Sequence, residues 1–253
     1  MNTTEEKLIK EFHKIKNKGW IKSVSNSTGS IGITFENELN RKQNSSILPD
    51  YYDIEIKCSS RYTVYPITLF SSTFDGPSQF ELKRIVEKYG YKDKIYSDKK
   101  ILTAYLSCQY KYFLNNQYFF KLELSTKEEK LYLCIYDINQ NLIEKQSFIT
   151  FKTIAKHLNI KLKKLALIYG KRKIINNETF FQYYRMELYH LKELSVFIEL
   201  LNKGIINVSL IARINKSNNH GGKYKNKNLV FSIKRENIPL LFDKIYSECK
   251  SCK

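Results

Sequence analysis

The stretch Pro49-Asp50-Tyr51-Tyr52-Asp53-Ile54-Glu55-Ile56-Lys57 decides the fold that we expect for this chain. Residues 54–57 alternate strictly between apolar and charged side chains, which is the two-residue period of a half-buried strand. Glu55 and Lys57 therefore share one face of the strand. Asp50 precedes them at the start of a hairpin, directly after a proline. The stretch predicts an acid and a lysine displayed side by side on a sheet.

Helical and strand-like segments surround this strand on both sides. A capping-box pair, Thr3 and Glu6, precedes a helically spaced apolar series at the start of the chain, which predicts an amphipathic helix. Further helices are predicted over Ile33–Arg41, Phe80–Tyr89, Phe151–Leu158, Leu188–Lys203 and from Asn237 onward. Strands are predicted over Val64–Ser71, within Leu102–Ile138 (two or three, antiparallel), and over Leu165–Tyr169, Ile205–Ile214 and Leu229–Ile233. The mixture predicts an α/β (α+β) fold.

The composition points to a polyanionic partner. The chain has 253 residues, with 43 Lys and Arg against 25 Asp and Glu, a formal charge of +18. Such an excess of positive charge favours binding to DNA or RNA, because each neutralised phosphate releases condensed counterions. The 19 Tyr and 15 Phe could stack on bases, although runs such as Phe180-Phe181 are more typical of core strands.

Two other classes of protein are disfavoured by the sequence. No run of about 18 apolar residues and no charged-then-apolar leader is present, so we expect a cytoplasmic protein without a membrane anchor. The five cysteines do not form a disulfide framework. Cys249 and Cys252 form one C-x-x-C, which lacks the second pair that a structural zinc site needs.

The acids and lysine of the quoted stretch are the candidates for chemistry. Phosphodiester hydrolysis requires an oriented water and a means of absorbing extra negative charge. Carboxylates that hold Mg²⁺, with a lysine beside them, supply both. Asp50, Glu55 and Lys57 match the P-D-x(n)-E-x-K arrangement of many nucleases. The alternative is an ordinary solvated strand face, which arises easily in a chain rich in Lys and Glu.

Several linked motifs carry a family resemblance. They are Gly19-Trp20-Ile21, Gly29 to Glu36 (Gly-Ser-Ile-Gly-Ile-Thr-Phe-Glu), the stretch quoted above, and Thr68-Leu69-Phe70 with Pro77 beyond. In order and spacing, residues 19–77 resemble the MvaI/BcnI family of restriction endonucleases, which are relatives of the mismatch-repair nicking enzyme MutH. Looser similarity extends through Tyr89–Asp93.

The resemblance implies a restriction-endonuclease-like mixed sheet flanked by helices, with two lobes around a DNA-binding cleft. Residues 1–90 would form the main part of the catalytic lobe, and residues 91–253 the remainder of the core with the recognition lobe. The resemblance also implies a type II restriction endonuclease that requires Mg²⁺. It would act as a monomer on double-stranded DNA, at a short GC-rich site with a central base pair, cutting one strand at a time. A cognate DNA methyltransferase could accompany it without forming a stable complex.

Carried over by position, the resemblance makes Asp50 and Glu55 metal ligands and assigns Lys57 to position the water. Glu36 matches the additional acid of the family, although an exposed helix carboxylate is the alternative. Asp53 ranks below these four, because a turn residue before a strand is often only a backbone cap.

The basic C-terminal segment is the predicted DNA-recognition loop. Its candidate residues are Arg213, Lys216, His220, Lys223, Lys225 and Lys227. Arg and Lys read guanine in the major groove, but any one of them can equally touch phosphates, which positions the protein without specifying sequence. The relatives carry His and Asp near residues 225–228, so the target site does not transfer.

Two alternatives to a restriction enzyme remain at this point. One is a MutH-like repair endonuclease, for which a nick is the final product. The other is a basic nucleic-acid-binding protein that retains the fold without the chemistry, which the presence of all four candidate residues disfavours.

Overall fold

A computed structural model describes residues 3–40, 48–60, 66–216 and 221–248. The chain forms two compact units. The first unit comprises Met1–Tyr65, His157–Glu193 and Ile238–Lys253, and the second comprises Pro66–Lys156 and Leu194–Asn237.

Helices and strands occur in both units. The helices are α1 (Thr3–Asn17), α2 (Ser30–Glu38), α3 (Glu81–Tyr89), α4 (Phe151–Lys161), α5 (Leu194–Asn202) and α6 (Ile238–Leu241). The strands are β1 (Ile21–Lys22), β2 (Ile54–Ser59), β3 (Ile67–Ser72), β4 (Tyr91–Lys92), β5 (Lys100–Leu106), β6 (Tyr112–Leu114), β7 (Tyr118–Ser125), β8 (Lys130–Tyr136), β9 (Leu142–Thr150), β10 (Lys164–Ile175), β11 (Glu178–Leu191), β12 (Ile206–Ile214), β13 (Tyr224–Ile233) and β14 (Phe242–Ser247). Within the described ranges, no helix combines the length and the apolar character that crossing a membrane requires.

The first unit is built on a mixed five-stranded sheet. Its strand order is β1-β11-β10-β2, and β14 also pairs with β11. β2 and β10 are parallel, whereas the other pairs are antiparallel. β2 lies at the end of this order, so one of its edges is available to groups outside the sheet.

One face of this sheet is apolar and covered by helices. Ile54 and Ile56 of β2 lie in a buried cluster with Leu8 and Phe12 of α1 and Phe35 of α2. Because side chains alternate along a strand, the residues between them, Glu55 and Lys57, belong to the opposite face. The hydrophobic core therefore fixes the face on which the charged pair is displayed.

The second unit contains two antiparallel sheets. One has the order β3-β13-β12-β5-β4, and the other has the order β6-β7-β8-β9. Phe197 of α5 packs against Phe70 and Phe231, with ring centroids 6.0 and 6.2 Å apart. These aromatic contacts anchor α5 on the first of the two sheets.

The fold class predicted from the sequence is confirmed: it is a mixed sheet flanked by helices. The helices α1 to α4 and the strands β2, β10, β12 and β13 all occur where they were expected, with shifted ends. The region between Leu102 and Ile138 holds parts or all of four strands rather than two or three.

Two predicted helices need correction. Leu188–Leu191 is the end of β11, which pairs with β10 and β14, and α5 begins only at Leu194. The helix expected from Asn237 is a single turn, after which Phe242–Ser247 pairs with β11. In both places sheet pairing overrides the helical spacing of the apolar residues.

The units also alternate along the chain, whereas the resemblance implied a single division at residue 90. The chain returns to the first unit at His157 because β10 pairs in parallel with β2, and two parallel strands must be joined by a long crossover connection.

Candidate active site

A tight turn sets the geometry of the acidic stretch. The backbone N–H of Tyr51 donates to the carbonyl of Ile54 at 3.0 Å, and that of Ile54 donates to the carbonyl of Tyr51 at 2.9 Å. Tyr52, within the turn, has a positive φ of 53°. The next residues outward in this register are Asp50 and Glu55, which explains why a spacing of five residues brings two acids together.

Asp50 is tethered to the free edge of β2. Its Oδ2 accepts a hydrogen bond from the backbone N–H of Ile56 at 3.0 Å. This contact holds the Asp50 carboxylate beside the strand that bears Glu55 and Lys57. The N–H and the carbonyl of one strand residue lie on the same edge, so the Ile56 carbonyl oxygen shares this edge with Asp50.

Glu55 is the buried centre of the site. Its side chain is 1% exposed, and two lysines contact its Oε1: Lys57 Nζ at 2.5 Å and Lys161 Nζ, at the end of α4, at 3.4 Å. The other oxygen, Oε2, is buried and has no hydrogen-bond partner among the described residues. A buried carboxylate oxygen without a partner is costly, which favours a cation or a water at this position.

Glu36 joins the cluster from α2. The preceding residue, Phe35, is fully buried in the core and stacks edge-on to Tyr183 at a centroid distance of 5.0 Å. This anchor places the Glu36 carboxylate within electrostatic range of Asp50, Glu55 and Lys57. Three acids from two elements therefore influence one another.

The site has the electrostatics of crowded carboxylates. Burial raises the pKa of Glu36 above its ordinary value, and the negative charge of Asp50 raises it further. Burial also raises the pKa of Glu55; the Lys57 ammonium opposes this shift and Asp50 adds to it. Like charges close together at partial burial are stabilised by a bound cation.

The residues present fit a magnesium ion. Within the described ranges, no group of three or more His, Cys, Asp or Glu side chains is arranged to hold a metal. Mg²⁺ does not require such a group, because it commonly uses one or two carboxylates together with waters and substrate phosphate. Asp50 and Glu55 supply the two carboxylates, and Oε2 of Glu55, which has no hydrogen-bond partner among the described residues, is an oxygen that a cation would stabilise.

Asp53 is engaged elsewhere. Its Oδ2 lies 2.5 Å from Nζ of Lys164, which is also 3.5 Å from the buried Glu5. Glu5 in turn contacts His190 at 2.7 Å. These contacts give Asp53 a role in joining the turn to α1 and β10.

The predicted DNA-binding residues fall in the second unit. Arg213, Lys223 and Lys225 are exposed on the β12–β13 hairpin, and Lys216 lies 3.5 Å from Asp93. The backbone of this hairpin is held by Lys99, which donates to the Gly222 carbonyl at 2.5 Å. His220 lies outside the described residues, and Lys227 is in β13 with its side chain not described.

Sequence reasoning missed two participants. Lys161 is distant along the chain and reaches Glu55 only because α4 leads directly into β10, the partner of β2. The Ile56 backbone has no side-chain signature. The signal available in the sequence was the position of Lys161 just before the predicted strand Leu165–Tyr169. That strand pairs with the acidic strand β2.

Two solved structures of a restriction endonuclease are similar to this chain. The structure described as restriction endonuclease MvaI in complex with cognate DNA superposes with a TM-score of 0.88 at 23% identity, covering 97% of this chain and 98% of that chain. MvaI in the absence of DNA gives a TM-score of 0.62 at 21% identity with the same coverage. No curated protein sequence matches this chain.

The fold is thus that of a restriction endonuclease. A family model places the chain more closely: it belongs to the MvaI/BcnI restriction endonuclease family, whose model matches residues 9–242. The chain is accordingly a site-specific deoxyribonuclease, as the sequence predicted.

Proposed function

We propose that this protein is a type II restriction endonuclease that hydrolyses double-stranded DNA at a short, GC-rich site in a Mg²⁺-dependent reaction. It acts as a monomer and cuts one strand at a time, and a separate methyltransferase protects the same site. The catalytic residues are Glu36, Asp50, Glu55 and Lys57. Arg213, Lys216, His220, Lys223, Lys225 and Lys227 contact the DNA.

One observation carries the assignment of the site. Glu55 is buried and in contact with two lysines, yet its Oε2 has no hydrogen-bond partner among the described residues. A carboxylate with only a structural role in the strand would hydrogen-bond through both of its oxygens or face solvent. An unsatisfied oxygen next to Asp50 is what a site for a hard cation requires.

The chain's own residues divide the work. Asp50 and Glu55 would hold Mg²⁺, with the Ile56 carbonyl as a further oxygen on the same edge. The bound ion would supply positive charge to offset the negative charge that develops on the phosphate, and it would make the attacking water more acidic. Lys57 donates an N–H to orient the attacking water, and Glu55 holds the Lys57 ammonium in place. Lys161 adds positive charge next to Glu55, and Glu36 adds a third carboxylate within electrostatic range of Asp50 and Glu55.

Digestion of a phage genome with the purified protein tests the proposal. We expect discrete fragments with one common sequence at their ends when Mg²⁺ is present and none in EDTA. Plasmid that accumulates as open circle before becoming linear supports cutting of one strand at a time. Open circle as the final product would instead favour a nicking repair enzyme.

Variants test the residues. Glu55→Gln and Lys57→Ala should each lower the cleavage rate by about 10³-fold or more and leave DNA binding in a gel-shift assay intact, because a metal ligand or the water-orienting lysine is lost while the proposed DNA-contacting residues are unchanged. Asp53→Asn is the matched control: its carboxylate binds Lys164, so cutting should persist. Normal cleavage by both active-site variants would show that the chemistry lies elsewhere.

A further inference from the structure

The β10–β11 hairpin continues as an arm beyond its pairing with β2. Within the described residues, β2 pairs with β10 as far as Tyr169, whereas β10 and β11 remain paired to Ile175 and Glu178. The arm ends in Asn176 and Asn177, both with positive φ, as expected of a two-residue hairpin turn. The short strand β1 pairs along its outer side.

The register identifies which side chains share the face of the catalytic pair. Lys57 is opposite Leu167 on β10. Two-residue steps along β10 from Leu167 lead to Tyr169, Lys171 and Lys173 on that same face. The irregularity at Tyr169/Gly170 leaves β10 in step and adds a residue to β11. Lys171 and Lys173 thus extend the face that bears Glu55 and Lys57.

Aromatic side chains are interleaved with these lysines. Lys22, Phe180 and Lys173 form one row across β1, β11 and β10. Lys173 Nζ lies 4.2 Å from the Trp20 ring centroid, and Lys171 Nζ lies 6.0 Å from that of Tyr184. Trp20 is 37% exposed, a large apolar ring left open to solvent.

The charge of this face is positive. Glu178 is the acid at the tip, and it pairs with Lys22 at 2.5 Å. Among the residues that the structure describes, neither Lys171 nor Lys173 forms an ion pair with a carboxylate. Two lysines without acidic partners, set among exposed rings, form a surface suited to a phosphate backbone.

We propose that this arm binds the DNA backbone that flanks the cleavage site on one side. At about 3.3 Å per residue, Lys171 and Lys173 lie roughly 13 and 20 Å beyond the level of Lys57 along the strand. On B-form DNA that distance corresponds to about four to six base pairs from the scissile phosphate. The contact is to backbone and carries no sequence information.

Because of this contact, the length of the DNA that flanks the site affects how tightly the protein binds it. This inference rests on the proposed function, since the flank is counted from the bond that Glu55 and Lys57 cleave. A site with both flanks shortened lacks the phosphates that Lys171 and Lys173 contact, so it binds more weakly. A monomer that cuts the two strands in turn uses its site in two orientations, so shortening one flank alone leaves one orientation in which these contacts are made.

Binding of trimmed duplexes tests the inference. Each duplex carries the site found by fragment-end sequencing, with both flanks either kept at about 12 base pairs or shortened to about two. For the wild type without Mg²⁺, we expect shortening of both flanks to weaken binding about 10-fold at moderate salt. For Lys171→Gln combined with Lys173→Gln, the long and the short duplex should bind equally, and the slope of log K against log salt on the long duplex should fall by about 2.

Arg172→Gln is the matched control for the double lysine variant. Arg172 is an exposed neighbour on the opposite face of the same strand, so its variant should retain the difference between the long and the short duplex. Equal binding of the long and the short duplex by the wild type, or the same loss from Arg172→Gln as from the double lysine variant, overturns the arm contact while cleavage stands. A protein that neither binds nor cuts any duplex overturns the proposed function as well.

Discussion

The acidic cluster around β2 and the β12–β13 hairpin both carry charged side chains. Those of the cluster are fixed by contacts within the protein, whereas those of the hairpin are exposed. In the cluster, Asp50 is fixed by a backbone N–H and Glu55 by two lysines. On the hairpin, Arg213, Lys223 and Lys225 are exposed. Chemistry requires groups held in place before substrate arrives, whereas a surface that meets DNA must leave its donors available.

This contrast predicts that substitutions in the two regions affect different constants. Cluster substitutions should change turnover and leave binding intact. Hairpin substitutions should change binding and sequence preference and leave turnover at saturating enzyme intact.

Arg213→Ala is expected to have the largest effect on binding. The backbone of Arg213 pairs with Asn226 of β13, so the sheet sets the position of this residue, and an arginine can bind both acceptors of a guanine. We expect affinity for the cognate site to fall about 10- to 100-fold and discrimination at one base pair to relax. Competition binding with single-base variants of the site measures both.

Lys225→Ala provides the comparison within the hairpin. If Lys225 contacts phosphate, its loss should weaken binding to all sequences alike and reduce the salt slope by about 1. An identical salt slope with altered base preference would exchange the roles of the two residues. Unchanged binding by both variants would remove the hairpin from the DNA interface.

Lys161→Ala should act on turnover. Its Nζ is 3.4 Å from Glu55, so its removal leaves Lys57 as the remaining lysine contact of that carboxylate. We expect the single-turnover cleavage rate to fall about 10-fold with the affinity for DNA unchanged. Lys163→Ala, two residues along and exposed, should cut normally. Equal rates for both variants would show that Lys161 is not part of the site.

The two regions also differ in how far the sequence could predict them. The acidic stretch could be predicted because a strand period and a tight turn are local properties of the sequence. Residues 54–57 alternate between apolar and charged side chains, and a five-residue spacing lets Asp50 face Glu55. The apolar spacing of α1 and α2 similarly predicts the helices that cover the sheet. Glu36 is harder to assign, since its place depends on how Phe35 packs in the core.

Long-range pairing explains what the sequence did not predict. Leu188 has helix-like spacing to the residues that follow it, yet it is in β11 because β10 and β14 supply hydrogen-bond partners on both sides. Lys161 reaches the site through the β2–β10 pairing. No local pattern encodes which strands become neighbours, and therefore the order of the sheet and the lysine that it brings in could not be predicted.

Glu36→Gln is expected to have the smallest effect of these substitutions. It separates the contribution of Glu36 to protein stability from its contribution to cleavage. Burial and the charge of Asp50 raise the pKa of Glu36 above 4.5, so its ionised form destabilises the metal-free fold at neutral pH. This cost is present above the raised pKa and disappears as the pH falls below 4.5.

The Glu36→Gln variant should therefore cut more slowly, yet unfold about 1–2 °C higher than the wild type in EDTA at neutral pH. At a pH of about 4 the difference should vanish. Glu38→Gln, on the same helix as Glu36, loses a partly exposed ion pair with Lys18 and should show no gain at either pH. A lower melting temperature for Glu36→Gln at neutral pH would mean that Glu36 is an ordinary helix carboxylate rather than one of three competing acids.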